Sequence, residues 1–67
     1  MNRTFAFEIL DKAYKHAVDN NLKTFELSYD ILGSHSKNII QQWLNERAIT
    51  GSLFTGWGVY TIQLDEI

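Results

Sequence analysis

From Ile49 to Leu64 apolar and polar residues alternate around a central Gly56-Trp57-Gly58, and this period of two constrains the fold more than any other feature. With the bend at Gly56-Trp57, Leu53 pairs with Tyr60, Gly51 with Ile62 and Ile49 with Leu64, all on one buried face. Thr50, Ser52, Thr61 and Gln63 take the other face, joined at the tip by Phe54 and Val59. A register displaced by one residue would scramble that segregation, so a C-terminal hairpin is expected.

The hairpin belongs to a chain of 67 residues, which allows one domain. A chain this short buries little surface, so clean patterning or a partner has to make up the difference. It has no cysteine, which excludes disulfides and thiolate metal sites and suits an intracellular setting. No apolar run approaches the length of a membrane span, and no apolar signal-peptide core follows the N-terminus. The expectation is a soluble, cytoplasmic protein. The formal net charge of −2 argues against general polyanion binding, because nonspecific DNA affinity comes from Lys and Arg neutralising phosphates. It leaves room for a local patch within an acidic chain.

Upstream of the hairpin the period is helical. Ala6, Ile9, Leu10, Ala13, Tyr14 and Ala17 recur at three- and four-residue spacing. Glu8, Asp11, Lys12, Lys15 and Asp19 fall mostly on the opposite side, so a helix spans Thr4 to Asn20. Asn2 and Thr4 are candidate caps, and Asn20-Asn21 is a left-handed stop. Lys23 to Leu27 alternates as a short strand. Ser28 caps a brief helix from Tyr29 to Leu32, which Gly33 ends. Ser34 or Ser36 caps a second long helix reaching about Arg47. Its inner stripe is Ile40, Leu44 and Ala48, flanked by Ile39 and by Trp43, which is expected in the core.

The order helix, strand, short helix, helix, strand, strand describes an α+β domain in which a helix-turn-helix lies beside a hairpin. The stretch from Thr24 to Leu64 resembles a winged helix-turn-helix domain. The likeness rests on Phe25-Glu26-Leu27 leading into Ile31-Leu32-Gly33, the aliphatics Ile39-Ile40 and Leu44, the helix exit Ala48-Ile49 and the closing Tyr60-Thr61-Ile62. In length and spacing the chain is most similar to the compact gamma domain of bacterial DNA translocases and to small regulators of phages and mobile elements. This is a likeness of apolar spacing, which speaks to fold more than to function.

Catalysis finds little support in the residues. His16 and His35 lie on separate elements without a nucleophile in a linked position, and the acid nearest His35, Asp30, is on another element. Ser34 and Ser36 read as caps rather than nucleophiles. Gly56-Trp57-Gly58 precedes a strand, so no helix dipole awaits a phosphate there. The expectation is a non-enzyme with no metal and no cofactor.

The second long helix offers binding chemistry instead. Asn38, Gln41, Gln42 and Asn45 share its outer side, with His35 and Lys37 near its N-terminus. Asn and Gln can form paired hydrogen bonds with the adenine edge in the major groove. Ser34 and Ser36 can donate to phosphates. The resemblance implies contact with duplex DNA through these residues, as a dimer or beside a partner. Against this, no charged residue lies between Thr50 and Leu64. Wings that touch DNA usually carry Arg or Lys, whereas this one offers Phe54 and Trp57. The second expectation is therefore a protein-interaction module, such as an antirepressor or an inhibitor of a larger complex, using those two aromatics. Local packing of Trp57 over Phe54 and Val59 is the alternative.

Overall fold

A computed structural model describes residues 3–65. In chain order it comprises α1 (Arg3–Asp19), β1 (Thr24–Ser28), α2 (Tyr29–Leu32), α3 (Lys37–Glu46), β2 (Gly51–Gly56) and β3 (Val59–Leu64). The strands form one antiparallel sheet in the order β1-β3-β2, so this is a small α+β domain with three helices and a three-stranded sheet. No helix among the described residues is long and apolar enough to cross a membrane.

Local chemistry sets the helix ends. Asn21 sits at φ 57, and the Leu22 and Asn21 amides reach back to the Ala17 and Val18 carbonyls at 2.8 and 3.1 Å. This paired closure satisfies carbonyls that a helix end leaves open. α3 ends in the same way: Ala48 is at φ 53, with Ile49 and Ala48 amides on Leu44 and Asn45 carbonyls at 3.0 and 3.2 Å. Ala48 was expected on the inner stripe of the helix. It is instead the exposed left-handed residue beyond the helix end, because Arg47 is already the cap. Ser28 caps α2 by accepting the Asp30 amide at 3.0 Å, and Gly33 closes it at φ 87. Of the candidate caps for α1, Asn2 lies outside the described residues and Thr4 falls inside the helix.

The hairpin forms with its faces as expected but with a different bend. Gly56 pairs with Val59, Thr55 with Tyr60, Leu53 with Ile62 and Gly51 with Leu64. The turn is therefore Trp57-Gly58, and the expected pairing of Leu53 with Tyr60 is displaced by two residues. A shift of two preserves every inside-outside assignment, which is why alternation alone cannot distinguish the two registers. Both turn residues have positive φ, 42 at Trp57 and 81 at Gly58, as the two-residue turn matching strand twist requires. Gly51 is fixed by close approach, since a Cβ there would lie 2.6 Å from the Gln63 carbonyl oxygen.

The inner sheet face, with Phe25, Leu27, Tyr60, Ile62 and Leu64, packs against Ala6, Phe7, Leu10 and Ala17 of α1 and Ile40, Trp43 and Leu44 of α3. Trp43 is completely buried. Its ring meets Tyr14 and Phe25 edge-on, at centroid distances of 5.8 and 6.3 Å. Phe7 also joins this core. Two guanidiniums cover its ring, Arg3 at 4.6 Å and Arg47 at 5.4 Å.

Candidate nucleic-acid interface

Burial of Ile40, Trp43 and Leu44 fixes the rotation of α3 and turns Asn38, Gln41, Gln42 and Asn45 outward, all exposed. Ser34, His35 and Lys37 are exposed in and just after the preceding turn. Residues 34–45 contain no carboxylate. Within the described residues, the side chains of Ser34, His35, Lys37, Asn38, Gln41 and Asn45 make no hydrogen bond or ion pair, so their polar groups face water.

Two of the expected contact residues are differently employed. Ser36 is buried; its hydroxyl donates to the Leu32 carbonyl, and its amide donates to the Tyr60 hydroxyl at 3.0 Å. It makes no side-chain cap to α3 and presents no hydroxyl to a phosphate, so it leaves the candidate set. Gln42 is exposed, but its Oε1 accepts from Arg3 Nε at 3.2 Å, tying it to α1.

Tyr60 holds the turn in place. Its hydroxyl donates to the Gly33 carbonyl at 2.5 Å while accepting from Ser36, so one β3 side chain spans the connection between α2 and α3. Tyr29 packs on its ring at 4.6 Å. Spacing identifies Tyr60 as an inward residue of the hairpin, but the hydroxyl's partners lie 27 and 24 residues away in sequence.

The α1–α3 contact consumes charge. Arg47 makes a two-pronged pair with Asp11, Nε to Oδ1 at 3.0 Å and Nη2 to Oδ2 at 3.1 Å. Trp43 Nε1 donates to the same Asp11 Oδ1 at 2.8 Å. The hydrogen bond from Arg47 and then that from Trp43 hold the Asp11 carboxyl below its ordinary value, against a smaller opposing effect of burial. Arg3 pairs with Glu46, and Lys15 with Asp19. Three of the chain's six basic side chains are thus matched to carboxylates, and Lys12, Lys23 and Lys37 form no ion pair among the described residues. Arg3 is tied to α3 through Gln42 and Glu46, so its charge is not free for a basic patch.

The hairpin tip is the counterpart surface. Trp57 is fully exposed at 103% and Phe54 is exposed at 53%, so Trp57 does not fold back over Phe54 and Val59. Among the described residues no group of three or more His, Cys, Asp or Glu side chains could hold a metal ion. No family model, curated protein or solved structure matches the chain.

Proposed function

We propose that this chain is a winged helix-turn-helix domain that binds duplex DNA and acts by occupying a site. The exposed side of residues 34–45, which carries no carboxylate, carries the reading. Asn38, Gln41 and Asn45 stand exposed on one side, with Ser34, His35 and Lys37 at the entry to the helix. Amide side chains at that spacing match the donor and acceptor pattern of adenine in the major groove. The N-terminal end of the helix is the part that reaches base edges in domains of this kind. The backbone spans 28 Å along its longest axis, against the roughly 34 Å of one DNA turn. One copy therefore reads one groove segment.

With Arg3 and Arg47 paired to carboxylates, phosphate contacts come from Lys37 and at most two further lysines, Lys12 and Lys23. Affinity then falls with salt at a log–log slope of about −1 to −3. The test is fluorescence anisotropy with a pool of labelled duplexes at low ionic strength. Binding that weakens with salt and is reduced by Lys37→Ala and Gln41→Ala supports the reading. No binding to any duplex at low salt rejects it.

The fully exposed Trp57 favours a second reading, a protein-interaction module such as an antirepressor or inhibitor. A tryptophan in the left-handed region costs about 1 kcal/mol and gains no intramolecular packing here. Large rigid aromatics of this sort anchor interfaces. Capture of a protein partner that is lost on Trp57→Ala, with no DNA binding, selects this reading over the first.

A further inference from the structure

We infer that β2 is a self-pairing edge, joining two copies of this chain through antiparallel β2–β2 contact into a continuous six-stranded sheet. The inference does not rest on DNA binding. In the order β1-β3-β2, one side of β2 has no strand beside it. The two-residue turn closes on Gly56 and Val59, so Gly56, Phe54 and Ser52 exchange hydrogen bonds with β3. Just outside the strand, the Asp65 amide bonds to the Thr50 carbonyl at 3.0 Å, in phase with that pattern. Gly51, Leu53 and Thr55 consequently direct their amides and carbonyls to the open side, a row of backbone groups ready for another strand.

Edges of this kind are usually guarded by lysine, proline or a bulge. β2 has no such guard: Gly51 to Gly56 contains neither charge nor proline. The other edge, β1, carries the exposed Glu26, follows directly on Lys23 and runs straight into α2. Two copies meeting there in a twofold arrangement would bring like charges together. The chain carries a net charge of −2, so a second copy fits best where the contact is uncharged, and β2 meets that condition.

Hydrogen-bond phase limits the register, since Leu53 and Thr55 must face residues whose groups also point outward. A twofold axis at Phe54 satisfies this by pairing Leu53 with Thr55 of the other copy. It also places Phe54 opposite itself at a non-hydrogen-bonded position, where side chains approach most closely. The half-exposed Phe54 then packs against its own counterpart on the outer face. One strand pair and two phenylalanines lie at the small end of specific interfaces, below about 1,200 Å², so association is expected near or above micromolar concentration.

The absence of cysteine permits a direct test. Opposed Cα atoms at such a position lie about 4.5 Å apart, within disulfide range. Under mild oxidation Phe54→Cys should form a covalent dimer, while Gln63→Cys, on the same face of the central strand, should not. By sedimentation equilibrium the unmodified chain should dimerise, and Phe54→Lys should raise the dissociation constant at least about tenfold. Near-ultraviolet dichroism of the buried Trp43 should be unchanged in that variant. A chain that stays monomeric at millimolar concentration overturns the inference. Equal cross-linking of the two cysteine variants, or a dimer indifferent to Phe54→Lys, does so as well.

Discussion

The contact between α1 and α3 and the tip of the β2–β3 hairpin use their aromatic and charged residues in opposite ways. Trp43 is completely buried, ringed by Tyr14 and Phe25, and its one polar atom is satisfied by Asp11. Trp57 is fully exposed, sits in a backbone conformation that suits glycine or asparagine, and touches no core. Charge divides likewise: Asp11 with Arg47 and Arg3 with Glu46 join the helices, while the hairpin has none. The helix contact is built for internal stability, whereas the hairpin tip keeps an exposed tryptophan in the left-handed region without internal packing. Departures of that second kind tend to mark surfaces used for something outside the chain.

Substitutions can break this contrast, beginning with the largest effect. Trp43→Ala should destabilise by about 3–5 kcal/mol, because it empties the centre of a small core. Chemical denaturation would show it as a greatly lowered midpoint or as a chain unfolded in water. Asp11→Ala should cost about 1–2 kcal/mol, by leaving Trp43 Nε1 without its acceptor and Arg47 without its partner. An equal loss in Trp57→Ala would erase the distinction between the regions, since that change is expected to stay within about 0.5 kcal/mol.

Asp11 also gives the helix contact a pH dependence. Its carboxyl is held below the ordinary value of 3.8, so its contribution is complete above that pH and lost as pH falls through the lower folded value. The side chain is about half exposed, so the effect is modest. Thermal melts between pH 6 and pH 2 should show a smaller acid loss in Asp11→Asn than in the unmodified chain.

Much of the backbone was legible because its causes are local. Ser28 as cap, Gly33 as stop and Asn21 as the left-handed end each depend on residues a few positions away. The bend of the hairpin was not, because registers two residues apart bury the same side chains. Trp-Gly is also a poor candidate for a turn that favours Asn-Gly. The candidate interface shows the same division. Spacing alone turns Asn38, Gln41 and Asn45 outward, but the fates of Ser36, Gln42 and Arg3 depend on tertiary partners. Arg3 meets Gln42 across 39 residues, and Trp43 meets Asp11 across 32. A buried tryptophan does demand an acceptor, and that was the one available signal for Asp11.

The smallest expected effects are gains. Ala48→Gly and Trp57→Asn each relieve a side chain from the left-handed region and should stabilise by about 0.5–1 kcal/mol. Thermal denaturation would register them as slightly raised midpoints. A loss at Trp57→Asn would mean that the tryptophan supports the fold after all, and the hairpin tip would then resemble the helix contact rather than oppose it.

The most direct test of DNA contact is an amide chemical-shift titration of the isotopically labelled chain with short duplexes at low ionic strength. Winged-helix binding predicts shifts concentrated at Ser34, His35, Lys37, Asn38, Gln41 and Asn45, reversing as salt is added. Shifts confined to Phe54, Trp57 and Gly58, or none at any duplex concentration, would contradict it.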